Sequence, residues 1–343
     1  MVYIHYKPAD LANQLHFGGN PMCTAISLLQ GDHYFGRNLD MVKGYDEQIV
    51  ITPRNYPFRF RNGLDLLHHH AMIGMATVAN HYPLYYEATN ERGLSMAALN
   101  FPDQAMYFPR TVCKDNIAPF ELIPWVLSQC ATVQEAKKLL LRLNIWMLPF
   151  SREYMLTPMH WLIADKTGSF VLESTEEGVR IYDDPVGVLT NGPAFPYHLS
   201  NLANYRYLHS TDQPSNFCGI PYSGYSGGMG AMGLPGDYST ASRFIKAAYL
   251  RCTSCCASNE QGRVAQFFHL LNAVAMPKGA VILEDGPEIT LYSCCCNADK
   301  GIYYYTTYEN SRISAVNLHH ADLTGSILTH FPLRTFSEIF VQN

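Results

Sequence analysis

Cys23 stands directly after Met22, and the stretch it opens closes on Phe-Gly-Arg-Asn-Leu-Asp, which places Arg37 and Asp40 within reach of it. A cysteine that becomes the first residue of its chain carries a thiol and a free α-amine together. The amine titrates near about 8 and the thiol near about 8.5. The amine can therefore take the thiol's proton, giving a nucleophile and its general base without a histidine. A guanidinium beside that sulfur favours thiolate, and a carboxylate orients the ammonium. The same residues also fit a plainer arrangement, a buried and inert cysteine on an edge strand with a surface ion pair nearby.

The elements that must position these groups are readable around them. Two apolar runs, residues 25–29 and 34–35, are split by Gly31 and Asp32, the pattern of a β-hairpin that folds Arg37 and Asp40 back toward Cys23. Strands are expected at 49–53, 71–78 and 94–100, the last ending on Asn100 before Phe101 and Pro102. A helical region spans 118–143; Pro124 interrupts its first half, and Thr132-Val133-Gln134-Glu135 forms a capping box for a second helix. Val133, Ala136, Leu140 and Leu143 repeat at helical spacing and read as core. Residues 144–161 form a loop carrying Trp146, Met147, Phe150, Tyr154 and Met159, which either covers the core or lines an apolar site. A hairpin over 160–175 turns at Asp165 to Gly168. Strands at 178–183 and 186–190 deliver Asn191, a side-chain amide that can donate to a developing oxyanion or simply make an Asn-Gly-Pro turn.

The glycine-rich stretch 218–237 lacks the Gly-Lys-Ser/Thr phosphate signature. It leads into a helix over 241–256 starting from Ser239 or Thr240. Arg243 falls in that helix's first turn, where the macrodipole disfavours a cation, so it is expected to have an assigned task. Strands at 280–283, 289–296, 302–308 and 313–318 follow, the last hairpin turning at Glu309-Asn310-Ser311. Two sheet-rich regions around two helical stretches give a sheet-on-sheet core flanked by helices.

Composition narrows the function. The chain has 343 residues, few charges and a formal net charge of -5. It has no basic stripe, so nucleic acid and anionic membrane are not expected partners, and no apolar run long enough for a membrane span. The ten cysteines include Cys252, Cys255 and Cys256, expected on one helix face, and Cys294, Cys295 and Cys296 on a strand. Successive strand residues point to opposite faces, so the second group cannot converge on one ion, and the spacing differs from paired zinc knuckles. The triplet His68-His69-His70 would likewise alternate faces. No metal and no organic cofactor are expected. Ten thiols without a secretory signal point to a reducing cytoplasm.

Met-Cys-Thr followed by Phe-Gly-Arg-Asn-Leu-Asp resembles the start of the choloylglycine hydrolases, N-terminal-nucleophile amidases that include conjugated bile acid hydrolases and penicillin V acylases. The resemblance continues through Ile51-Thr52-Pro53-Arg54-Asn55, Asn90-Glu91-Arg92-Gly93-Leu94, Leu99-Asn100-Phe101-Pro102 and Leu189-Thr190-Asn191-Gly192-Pro193. It resumes at Gly233-Leu234-Pro235-Gly236-Asp237, Ala241-Ser242-Arg243-Phe244 and Gly301-Ile302-Tyr303-Tyr304-Tyr305. It implies an α+β fold, a four-layer αββα sandwich of two antiparallel sheets flanked by helices. It implies catalysis by Cys23 with Arg37, Asp40, Asn100, Asn191 and Arg243, and an acyl pocket at Leu39, Met41, Ala79, Phe150 and Tyr154. The implied substrates are bile acids conjugated to glycine or taurine, with penicillin V as the alternative; Asn100 favours the former, because penicillin-preferring relatives commonly carry tyrosine there. The resemblance also implies a homo-oligomer, often of four subunits. Two departures from the family pattern are Ser226-Gly227-Gly228 before Arg243 and the bulky Tyr86. A non-catalytic binding protein, or a structural thiol-rich one, is the reading of another class.

Residues 1–22 are expected to be absent from the active enzyme. They are either translated leader, since the codons for Gly18-Gly19 can spell a ribosome-binding sequence correctly spaced before Met22, or a pro-segment removed by self-cleavage. Residues 23–343 are expected to form one domain.

Overall fold

The computed structural model describes residues 21–343, apart from positions 214, 223 and 338, so the expected leader lies almost wholly outside the described residues. Two large sheets carry the fold, one of six strands and one of eight. Their strands, in chain order, are β1 (Cys23–Gln30), β2 (Asp32–Met41), β3 (Gln48–Thr52), β4 (Met72–Ala79), β5 (Tyr82–Asn90), β6 (Ser95–Asn100) and β7 (Met159–Asp165). They continue with β8 (Gly168–Thr175), β9 (Gly178–Asp184), β10 (Val188–Leu189), β11 (Ile289–Asn297), β12 (Ile302–Thr307), β13 (Ser314–Asn317) and β14 (Thr329–Pro332). The smaller sheet runs β10-β1-β2-β11-β12-β13 and the larger β9-β8-β7-β6-β5-β4-β3-β14, with antiparallel pairing throughout.

Among the described residues five α-helices complete the layers: α1 (Leu122–Gln129), α2 (Val133–Leu140), α3 (Phe195–Asn201), α4 (Thr240–Thr253) and α5 (Glu260–Asn272). Phe244, Ile245, Phe267 and Leu271 of α4 and α5 join one core with the small sheet and the inner face of the large one. Leu122, Trp125, Val133 and Leu140 of α1 and α2 cover the large sheet's other face, over Val50, Met96, Trp161 and Phe170. Each sheet thus buries both faces, which explains why so many strands are apolar without alternation. The four layers are helices, sheet, sheet, helices, as expected.

Several local expectations change. Pro124 does not interrupt α1; it is the third residue of that helix, where no intrahelical N–H bond is lost. Thr132 caps α2 by accepting from the Glu135 N–H, but the Glu135 carboxylate takes the Ala131 N–H, one residue outside a regular box. Leu143 leaves the helix and opens the short strand Leu143–Ile145. The helix carrying Arg243 stops at Thr253, so Cys255 and Cys256 lie beyond it and share no helical face with Cys252. Strand β5, which contains Pro83, and helix α5 were not expected from the sequence. Among the described residues no group of three or more His, Cys, Asp or Glu could hold a metal ion, and no helix is long and apolar enough to cross a membrane.

Candidate active site

The β1–β2 hairpin pairs Cys23 with Leu39, Thr24 with Asn38 and Ala25 with Arg37. Because side chains alternate along a strand, Cys23 and Arg37 share one face while Thr24, Asn38 and Asp40 share the other. The face bearing the sulfur is turned toward the large sheet: Arg37 donates through Nη1 to the carbonyls of Ala98 and Tyr86 and through Nη2 to Cys23 Sγ. The opposite face is turned toward the helices: Asn38 Nδ2 donates to the Leu271 carbonyl of α5. From that side Arg243 of α4 donates through Nη1 to the Cys23 carbonyl and to Thr24 Oγ1. Two buried arginines therefore grip one residue from opposite faces of a sheet. Gly36 permits this packing, because a Cβ there would sit 1.9 Å from the Cys294 carbonyl of β11.

The asparagines join the same cluster. Asn191 follows β10; its Oδ1 accepts from the Cys23 N–H at 2.9 Å and from Arg243 Nη2 at 2.7 Å. Its Nδ2 donates to the Asn100 carbonyl at the end of β6, 2.7 Å away. Asn100 Nδ2 donates to the Pro21 carbonyl at 3.1 Å, so a side-chain amide of the kind able to hold an oxyanion here holds a peptide carbonyl. Asp40 receives the Thr290 hydroxyl on Oδ1, while Oδ2 is buried without a partner. Its N–H binds the Met22 carbonyl at 3.0 Å. All six expected catalytic residues are buried and meet around Cys23.

Charge and burial compete at each group. Burial pushes the Cys23 thiol up; Arg37 opposes this most strongly and Asp40 adds to it. Burial also raises Asp40 to about 6, against the pull of Arg243 and Arg37. For Arg37, burial works against the proton, but the anionic side of Cys23, Tyr292 and Glu87 holds it more firmly than usual. Glu87 lies 3.9 Å from Arg37 Nε and accepts the hydroxyls of Tyr292 and Tyr303 at 2.7 and 2.5 Å. A fully buried guanidinium needs such a counter-charge. Glu288 accepts the Met22 N–H at 2.6 Å, and burial raises it to about 7.

Beside the sulfur lies an apolar cavity of about 1210 Å³, its open mouth included. Leu39, Met41, Phe150 and Tyr154 line it, as does Tyr86; Ala79, also expected there, is buried at the end of β4 and is not among its lining residues. Pro21 lines the cavity too, so this residue, two ahead of Cys23, borders the space a substrate would enter. Of the loop residues singled out in the sequence, Met159 reaches the cavity and Trp146 does not. Ser226, Gly227 and Gly228 lie exposed and away from it.

The chain that builds this site has known relatives. Residues 23–331 match the family model described as linear amide C-N hydrolases, choloylglycine hydrolase family. This chain belongs to that family. A bile salt hydrolase/transferase of Lactiplantibacillus plantarum is 48% identical over 324 residues, covering 94% of this chain and 100% of that one. One of the same description from Clostridium perfringens is 37% identical, covering 89% and 95%. The crystal structure of a mutant conjugated bile acid hydrolase from Clostridium perfringens superposes with a TM-score of 0.86 at 34% identity, over 94% of this chain and 100% of that chain. A penicillin V acylase from Agrobacterium tumefaciens shares the fold at a TM-score of 0.72 and 16% identity, over 92% and 94%.

Sequence reasoning passed over Glu87 and Glu288. Glu87 had a signal: a lone carboxylate in an otherwise apolar and aromatic strand must be paired if buried. Glu288, in an Asp-Gly-Pro-Glu run, resembles any turn residue and gives no local hint.

Proposed function

We propose that this choloylglycine hydrolase cleaves the amide bond of bile acids conjugated to glycine or taurine, with Cys23 as nucleophile once the residues before it are gone. The observation that carries this is the Cys23 sulfur under the Arg37 guanidinium at the edge of an apolar chamber, the kind of lining a fused-ring acyl group requires. With Met22 attached, the Cys23 nitrogen is a peptide N–H that donates to Asn191 and cannot act as a base. Freed, it becomes an amine able to take the thiol's proton. The sulfur then attacks the amide carbon, and the carbonyl oxygen gathers charge against the Nδ2 groups of Asn191 and Asn100, an interaction worth about 3 kcal/mol per donor in comparable sites. The C–N bond breaks as the Cys23 ammonium protonates the departing amino acid nitrogen. Water, deprotonated by the same amine, attacks the thioester and releases the acyl group. The partnerless Oδ2 of Asp40 supports a role for that carboxylate in holding the ammonium.

Ten unpaired thiols fit a cytoplasmic enzyme. Exposed Phe336, Ile339, Phe340 and Val341 near the C-terminus fit a homo-oligomer, with four subunits expected on native mass measurement. The deciding experiment pairs intact mass with amine release from glycocholate, taurocholate and penicillin V. Active protein should begin at Cys23 and release glycine or taurine in preference to 6-aminopenicillanic acid. Activity in protein that retains Met22 would refute the mechanism, and preference for penicillin V would refute the substrate.

A further inference from the structure

Asn100 and Asn191 reach Cys23 from different sheets, at the ends of β6 and β10, and their amides must keep a fixed separation to serve one oxygen. Behind them lies His160, the second residue of β7, with no exposed surface. Its ring stacks on Phe101, the residue after Asn100, with centroids 4.4 Å apart and planes 5° from parallel. Its Nε2 lies 2.8 Å from the carbonyl oxygen of Thr190, the residue before Asn191. Its Nδ1 lies 3.1 Å from Glu173 Oε1 in β8. A carbonyl only accepts, so Nε2 must carry a proton. Nδ1 then either donates to a carboxylate or accepts from a carboxylic acid. Either way the pair is neutral overall, as its burial demands. Glu173 Oε1 also accepts the Phe195 N–H at 3.0 Å, which ties the pair to α3.

We propose that His160, held by Glu173, is a positioning residue for the oxyanion site: it clamps the chain beside Asn100 to the chain beside Asn191. This rests on the proposed roles of Cys23 and the two asparagines. One ring meets both strand ends, one through its face and the other through its edge. The 2.7 Å bond from Asn191 Nδ2 to the Asn100 carbonyl closes the loop on the active-site side. Without the clamp, each asparagine keeps its chemistry but loses its aim, and aim is what an oxyanion donor supplies.

The test uses processed enzyme and His160→Phe, which keeps an aromatic ring against Phe101 and removes both polar bonds. Four quantities are measured: kcat and KM on glycocholate, the rate at which iodoacetamide alkylates Cys23, and inhibition by the aldehyde analogue of cholic acid. Cys23 Sγ adds to that aldehyde's carbon, and its oxygen then occupies the site between the asparagines. We expect kcat to fall roughly 10- to 100-fold, a part of the loss seen when a whole donor is removed. KM and alkylation should stay within about threefold of wild type, while the aldehyde weakens by the same factor as kcat. If His160→Phe does not fold, Glu173→Leu frees the ring's far edge and should give the same signature. Unchanged kcat, or a kcat loss with undiminished aldehyde affinity, overturns the clamp. Wild-type enzyme that iodoacetamide does not inactivate overturns the nucleophile, and the clamp with it, before any variant is made.

Discussion

Replacing Arg37 by Met removes the charge that opposes the burial of Cys23, and the size of the effect follows from the geometry. Burial raises the thiol, and among its neighbours Arg37 is the largest influence lowering it. Arg37 Nη2 lies 2.5 Å from Cys23 Sγ, and two charges a few ångströms apart at an effective dielectric of about 20 are worth roughly 4 kcal/mol as an upper limit. The thiolate loses its cation, so the pKa must rise. The pH at which iodoacetamide alkylation is half-maximal should move up, and at pH 7 alkylation should slow by roughly 10- to 1,000-fold. Stability falls as well, because Glu87 keeps its two tyrosines but loses its counter-charge; a buried charge stripped of its partner costs about 3–5 kcal/mol. Arg37→Met combined with Glu87→Gln separates the two effects. The double variant should recover most of the stability in urea and none of the alkylation rate. An alkylation profile that stays put, or moves to lower pH, would refute the reasoning.

Phe150 packs against Phe120 and Tyr154, with ring centroids 5.2 and 6.0 Å apart, on the wall of the apolar chamber. Phe150→Ala should raise KM for glycocholate by about tenfold or more while kcat stays near wild type, since it removes apolar contact worth roughly 1.5–3 kcal/mol that does not change as the amide reacts. Asp184, far along β9, is raised by burial to about 6 although it accepts the N–H groups of Val186 and Gly187 on Oδ1. Its folded value lies above its ordinary 3.8, so its contribution to stability is complete below about pH 4 and is lost as the pH rises through about 6. That loss amounts to roughly 3 kcal/mol. Asp184→Asn keeps the Oδ1 acceptor, and its denaturation free energy should be correspondingly flatter between pH 4 and 7.

Much of the site was legible because its signals are local. The hairpin from Cys23 to Met41 follows from two apolar runs around Gly31, whose φ of +76° suits glycine, and it brings Arg37 to Cys23 within one supersecondary unit. Thr132 and Ser239 mark helix starts, and both cap as their types suggest. Helix α5 was passed over: its capping Asn259 is followed by Glu260, Gln261 and Gly262, so the first turn reads as a polar loop, and burial of Phe267 and Leu271 against the small sheet outweighs that weak local preference. Strand β5 was obscured by Pro83. The three consecutive cysteines of β11 behave as alternation requires: Cys294 faces Glu87 and Tyr303, Cys296 faces Thr89, and Cys295 turns toward Glu260 of α5.

By itself the sequence determined the hairpin that carries the sulfur, through spacing along the chain, and its ordered motifs carried the resemblance that implies the family and the layered α+β fold. Only the tertiary structure decided that two guanidiniums approach Cys23 from opposite faces of one sheet, that Glu87 balances the first, and that His160 lies between the two asparagines. Arg243 binds the Cys23 carbonyl across 220 residues of chain, and Asn191 binds its N–H across 168. No local propensity encodes such separations; they are fixed when two sheets close on a shared core and the buried charges and amides there must find one another.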